Sequence, residues 1–235
     1  MEPSRIAEGL LWFVAFLFST TVHEAAHAFV AWRGGDSTAY RGGQVSLSPL
    51  PHIRREPIGM VVVPLLTALT QGWALGWAST PYDPHWEARY PKRAALMSAA
   101  GPAGNLLIAA IAFLVLKAGL LAGVFLTPRT ASFTQLAVAA SEAGAAALVV
   151  KVLSIFLMLN VLLFVFNLLP VPPLDGASAM GLVLPEELAE RFVNLARTPG
   201  FSLFGLLIAW QVFPYLARPL FGIVLRLLHP GVSYT

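Results

Sequence analysis

The stretch TTVHEAAHAFVAW, Thr20 to Trp32, sets two histidines and a glutamate inside an otherwise apolar run. Between Leu10 and Trp32 the only formally charged side chain is Glu24. On an α-helix, residues four apart lie about 40° apart around the axis and about 6 Å apart along it. His23 and His27 can therefore aim their imidazoles at one ion. Glu24 lies about 100° round from His23, near enough to reach a water on that ion. Histidine ligands four apart with an intervening glutamate as general base is the metalloprotease arrangement. The bland alternative is a pair of interhelical hydrogen-bonding histidines beside a protonated glutamate. Ionisable groups inside membrane-length segments are costly and mark functional sites by default, which favours the metal reading.

The rest of the chain makes the membrane setting plain. Of 235 residues, 57% are hydrophobic and only 11% are charged, against about a quarter in soluble domains. Mean hydropathy is +0.72. Charge-free runs recur at Pro57–Tyr82, Ala94–Leu116, Val152–Leu174 and Thr198–Ala217, each near or above the ~20 residues that cross a bilayer. The net charge of +3 comes from basic residues scattered through the loops, with no stripe, which excludes a nucleic-acid partner and fits anchoring at a lipid surface. With no cysteine, disulfides and thiolate ligands are excluded.

Loop charges suggest a topology. The 33–56 loop carries Arg33, Arg41, Arg54 and Arg55, and the 79–93 loop carries Arg89, Lys92 and Arg93. The 117–145 region has only Lys117 and Arg129, and 185–197 has Arg191 and Arg197. Both of the first two loops read as cytoplasmic. A single crossing at Ile58–Trp77 would put them on opposite sides, whereas a re-entrant segment, broken at Pro64, Gly72 and Gly76, keeps them together. Within the first loop, STAYRGGQVSLS reads as two short strands, about Ser37–Arg41 and Gln44–Ser48, joined by Gly42-Gly43. An irregular loop there fits about as well.

A hydrolytic zinc site needs a third protein ligand, with its fourth position left to water. The chain has three aspartates, Asp36, Asp83 and Asp175. Asp175 directly follows the run Val152–Leu174, where Pro170, Pro172 and Pro173 end helix formation and Gly176 permits a tight bend. Alone, PPLDG could be a turn closing a membrane helix; beside the histidine pair, Asp175 reads as the third ligand. If His27 and Asp175 meet at one ion, an even number of crossings separates them. The runs beginning at Ala94 and Val152 supply two, which again makes 58–77 re-entrant. Asn105 and Asn160 read as interhelical hydrogen-bonding residues worth about 1 kcal/mol each. His52 and His85 read as interfacial or solvated, and Trp73, Trp77 and Trp86 as an aromatic belt.

Three motifs together, His23-Glu24-x-x-His27, AAGPAGN at 99–105 and NLLPVPPLDG at 167–176, resemble the site-2 protease family of intramembrane zinc metalloproteases. SLSPLPH at 46–52 with PIG at 57–59 is similar to the small prokaryotic branch without PDZ or CBS domains. The resemblance implies one zinc per chain on His23, His27 and Asp175, with Glu24 as catalytic base. It also implies that Asn167 lies beside the active site, where its amide could serve the oxyanion or the substrate backbone. Two stretches depart from the family: the acidic residue near His52 is displaced to Glu56, and 72–84 reads GWALGWASTPYDP.

The expected molecule is an all-α polytopic membrane protein with about four to six membrane helices, one re-entrant segment and a small β-hairpin near the active site. A single domain over 1–235 would hydrolyse peptide bonds in transmembrane segments of protein substrates. Its setting would be a prokaryotic plasma membrane, with the site towards the cytoplasm and the 37–48 hairpin accepting the unwound substrate by strand addition. The competing expectation is a non-enzymatic metal-binding or metal-transport protein. That reading leaves Glu24 without a task and lacks a polar path across the bilayer. Oligomeric state is not legible.

Overall fold

A computed structural model of the chain describes residues 3–141, 144–185, 187–188, 200–232 and 234. The first element is α1 (Pro3–Arg33), followed by two short helices, α2 (Thr38–Arg41) and α3 (Leu50–Arg55). A π-helical turn (Ile58–Val62) runs into α4 (Val63–Gln71), and a stretch without regular structure leads to α5 (Pro84–Arg89). Then come α6 (Pro91–Leu121), strands β1 (Phe125–Leu126) and β2 (Val138–Ala139), and α7 (Ala145–Asn167). A turn gives α8 (Asp175–Ala179), a 3-10 turn (Met180–Leu182) and finally α9 (Phe201–Leu228).

Among the described residues, four helices are long and apolar enough to cross a membrane: α1, α6, α7 and α9. The all-α polytopic fold expected from the charge-free runs is the one observed. Proline at the first turn opens both α5 and α6, where its missing N–H costs nothing. Asp83 caps α5 by accepting the His85 N–H at 2.8 Å. The last helix continues past the charge-free run to Leu228, with Pro214 and Pro219 inside it. Arg191 and Arg197, read as loop charges, lie outside the described residues.

Helix α6 is the centre of the bundle, packed on α1, α7 and α8. Its buried face is built largely of small residues, Ala94, Ala95, Gly101, Ala109 and Ala112. Such residues let helices approach closely where lipid provides no hydrophobic drive. Helices α1 and α7 run in the same direction. A 2.8 Å ion pair joins Glu8 to Lys151 near both starts, and the two histidines meet Asp175 past both midpoints. Two crossings, α6 and α7, therefore separate the histidines from Asp175.

The 58–77 segment doubles back, as the loop charges require. At its mouth the Trp77 N–H donates to Gly59 O at 3.1 Å. At its far end Ala68 presses on Gly9, so closely that a Cβ at Gly9 would collide with the Ala68 carbonyl. The chain then returns to Thr80, which touches Glu24. From Gly9 to Glu24 is about 22 Å at 1.5 Å per residue, which measures the reach of the loop along α1. Gly72, at φ +83°, makes the bend, and Thr67 Oγ1 accepts the Leu75 N–H at 2.9 Å. Non-helical backbone is tolerated at depth where it lines a cavity within the protein, as the 72–80 leg does.

The strands expected at 37–48 do not form. Asp36 Oδ1 accepts both the backbone N–H and the hydroxyl of Thr38, at 2.8 and 2.6 Å, and so starts a helical turn. Gly42-Gly43 ends that turn rather than reversing a hairpin. Gly43 takes φ +75°, its N–H bonds Tyr40 O, and the Gln44 N–H bonds Ala39 O at 3.0 Å, a Schellman motif. Strand addition at 37–48 has no strand to use. The β-hairpin lies elsewhere, with Phe125 opposite Ala139 and Leu126 opposite Val138. It packs with Leu116 and Leu228 at the far end of α6, away from the histidines.

Two aromatic assignments also change. His52 is 1% exposed and buried under the loop rather than solvated, with Nε2 on Ser46 O. Trp86 is not a belt residue: it packs with Ala31, Ala94 and Met97, and its Nε1 donates to Gly34 O at 3.0 Å.

Candidate metal centre

Helix α1 carries His23, Glu24 and His27 into the interior, where all three side chains are buried. Helix α7 stops at Asn167, because Pro170, Pro172 and Pro173 cannot continue it. The turn that follows is packed so tightly that a Cβ on Gly176 would overlap the Leu168 and Leu169 carbonyls. Glycine at that position is what lets α8 start under the end of α7, with Asp175 as its first residue. The bend expected at Asp175-Gly176 is thus a close approach of backbone to backbone.

The three expected ligands meet. His23 Nε2 lies 3.0 Å from His27 Nε2 and 3.0 Å from Asp175 Oδ2, and His27 Nε2 lies 3.3 Å from Asp175 Oδ1. Ligand atoms of a tetrahedral zinc with bonds of ~2.0–2.1 Å would be about 3.3 Å apart. The observed separations fall at or just under that edge.

The outer hydrogen bonds decide what these atoms carry. His27 Nδ1 is 2.7 Å from Met97 O, and a carbonyl only accepts, so Nδ1 holds the proton. Asn105 donates its Nδ2 to Asn160 Oδ1 at 2.9 Å, so its Oδ1 is the atom that accepts from His23 Nδ1 at 2.6 Å. Both Nε2 atoms then present lone pairs to each other and to a carboxylate. Asp175 Oδ2 is buried and forms no hydrogen bond. A close cluster of three electron-pair donors with no proton between them is the chemistry of a cation site. His23, His27 and Asp175 fit zinc.

Helix α6 shapes this cradle. A Cβ on Gly101 would fall on the Nε2 atoms of both histidines. Pro102, one residue on, offers no N–H to Ser98, and in this loosened turn Met97 gives its carbonyl to His27. Gly101 and Met97 carried no sequence signal as site residues beyond their place in or beside AAGPAGN. Asn105, read as interhelical hydrogen bonding, does bond Asn160 and Ser19, yet its oxygen serves a histidine.

Glu24 opens onto a cavity of about 1170 Å³ that also reaches His23, His27, Asp175 and Asn167. The cavity is bordered by the return leg 72–80 on one side and by Trp210 and Phe213 of α9 on another. Asn167 donates Nδ2 to Leu163 O at 2.9 Å within its own helix, so it lines the cavity without joining the ligand cluster. Thr80, which sequence reasoning passed over, bonds Glu24 Oε2 at 2.7 Å. His85 is exposed, as read, and away from the cavity lining.

This fold sets in its helical bundle a cluster of the His-Glu-x-x-His kind that could hold a metal ion. The chain belongs to peptidase family M50, whose family model matches residues 11–210. The resemblance to site-2 proteases read from the three motifs is borne out. Over 208 residues it is 31% identical to the "Putative zinc metalloprotease YwhC" of Bacillus subtilis, covering 88% of this chain and 84% of that one. Proteins named "Putative zinc metalloprotease Rip2" are similar at 31% in Mycolicibacterium smegmatis and 33% in Mycobacterium tuberculosis. Those matches cover 94% and 93% of this chain and 74% and 73% of the relatives. No solved structure matches the chain.

Proposed function

We propose that the chain is an intramembrane zinc metalloprotease that hydrolyses peptide bonds within or beside transmembrane segments of protein substrates. The observation that carries this reading is the convergence of His23, His27 and Asp175 beside a buried glutamate in one large, mostly apolar cavity. One domain, bearing one zinc on these three residues, performs the reaction. The names of the relatives and the family membership support the same class.

Zinc, when bound, supplies Lewis acidity that brings water within reach of deprotonation near neutral pH. The chain's own residues do the rest. Met97 O and Asn105 Oδ1 hold the two histidines in the tautomer that offers Nε2. Glu24 takes the proton from the attacking water and returns it to the leaving amine. Oε2 of Glu24 is engaged by Thr80, which leaves Oε1 for that proton. Asn167, on the cavity wall, donates to the oxyanion or holds the substrate backbone once released from Leu163 O. A helical substrate hides its carbonyls, so it unwinds before cleavage. The cavity is bordered by apolar α9 and the return leg, which suits an apolar segment entering from lipid. The arginine-rich loops on the side of Arg41 and Arg89 support a cytoplasmic orientation in a prokaryotic plasma membrane.

The test compares membrane proteomes of cells expressing the wild type and Glu24→Gln. Substrates should persist intact with the variant, while zinc content stays near one per chain. Cleavage of a transmembrane substrate should fall by at least ~10²-fold, the lower range for losing a general base. Identical proteomes with full zinc occupancy would favour a metal-binding or transport role instead.

A further inference from the structure

The contact that engages Glu24 Oε2 comes from outside the elements that carry the metal-binding cluster. Thr80 comes from the return leg 72–80 and from neither element that carries the His23, His27 and Asp175 cluster. Its hydroxyl lies 2.7 Å from Glu24 Oε2 and 3.0 Å from Glu24 O. A hydroxyl has one proton to give. The carbonyl belongs to the α1 ladder and the carboxylate is the stronger, nearer acceptor, so the proton goes to Oε2. That bond fixes the rotation of the carboxylate and selects which oxygen faces the reaction.

The leg that carries Thr80 is itself fastened one residue earlier. Ser79 Oγ donates to Glu56 Oε1 at 2.6 Å and accepts from Arg55 Nε at 3.1 Å. Gln44 Nε2 reaches Ser79 O at 3.4 Å. Glu56 is the residue whose position departs from the family pattern, and 72–84 is the other departing stretch. The two departures meet at Ser79.

Resting on the protease reading, we propose that Thr80 is a positioning residue for Glu24, held in register by the clasp of Ser79 with Glu56 and Arg55. The return leg thereby does more than cover the cavity: its placement determines whether the base is aligned. A purely packing role for Thr80 would be met equally by valine, which has nearly the same shape.

The experiment uses full-length, zinc-loaded protein in detergent, as wild type, Thr80→Val, Thr80→Ser and Glu24→Gln. With carbon-13 glutamate, subtracting the Glu24→Gln infrared spectrum isolates the Glu24 carboxylate band. That band should shift in Thr80→Val and return in Thr80→Ser, whether or not a substrate is cleaved. On fluorescein-labelled casein, an unstructured chain needing no unwinding, Thr80→Val should lower kcat about tenfold with KM within about twofold. Thr80→Ser should keep kcat within about threefold of wild type, and Ser79→Ala should move band and kcat in the direction of Thr80→Val. Equal zinc content certifies the fold; if Thr80→Val fails that check, Thr80→Ala and Ser79→Ala carry the same expectations. An unmoved band in Thr80→Val overturns the proposal, as does an equal kcat loss in Thr80→Val and Thr80→Ser. Casein left uncut by wild type does not touch the role of Thr80, which the infrared band decides on its own; the protease reading stands or falls on the transmembrane-substrate comparison with Glu24→Gln.

Discussion

Asn105 accepts a 2.6 Å hydrogen bond from Nδ1 of His23 across the interface of α1 and α6. Its own amide nitrogen is held by Asn160 Oδ1, and Asn160 in turn donates to Ser19 Oγ at 2.8 Å. The chain of three polar side chains, all fully buried, holds one imidazole in a single orientation. Replacing Asn105 by leucine should weaken zinc binding by about 10–100-fold, the usual effect of losing such an outer bond. Competition against a chromophoric chelator measures it. Unchanged affinity would return Asn105 to interhelical packing alone.

Gly101→Ala places a methyl group on both Nε2 atoms. Alanine favours a helix more than glycine does, so α6 should keep or gain helicity. The expected result is a well-folded protein by circular dichroism that has lost most of its zinc. Full zinc content in this variant would show that the imidazoles sit elsewhere.

Asp175→Ala removes the one anionic member of the proposed ligand set, and His27→Ala one of its two imidazoles. Each should lose most bound zinc as read by metal analysis. Incubating wild type with 1,10-phenanthroline should abolish cleavage, and added zinc should restore it. Zinc fully retained by Asp175→Ala would take that residue out of the coordination sphere.

Arg41 and Arg89 are both exposed and flank the re-entrant segment. In the cysteine-free chain, single cysteines at these positions should react with a membrane-impermeant maleimide from the same face. Labelling from opposite faces would mean that 58–77 crosses the bilayer.

Asp36 gives a pH-dependent tie outside the membrane helices. Burial opposes ionisation, but the Thr38 hydroxyl, the N–H groups of Asp83 and Thr38, and nearby Arg41 hold its carboxyl below the usual range. A depressed pKa stabilises the fold above the ordinary carboxylate pKa, and that contribution fades as pH falls through the lower, folded value. Asp36→Asn should therefore melt earlier at neutral pH, by about 1–2 kcal/mol. The gap should shrink on acidification. A gap that is constant with pH would show that the carboxylate charge is not involved.

The histidine pair, its glutamate and the membrane helices were legible because each is a local pattern: a four-residue spacing or a charge-free run. Asp175 stood out through the prolines before it, the glycine after it and the histidine pair that lacks a third partner. The Gly42-Gly43 pair misled because a Schellman cap and a two-residue hairpin use the same dipeptide; the deciding group, Asp36, acts from outside the pair. Thr80, Met97 and the ligand-holding role of Asn105 were invisible for a different reason. Each acts on a residue more than fifty positions away in the chain, and no periodicity announces such a partner.

The cluster ties the first membrane helix to a residue that ribosomes deliver only after α6 and α7 have been made. Until Asp175 emerges, His23 and His27 stand without the carboxylate that lies against both of them in the folded chain. A chain inserted only up to α6 therefore lacks the three-residue cluster. Its completion coincides with the docking of α8 under α7, where a Cβ on Gly176 would overlap the Leu168 and Leu169 carbonyls.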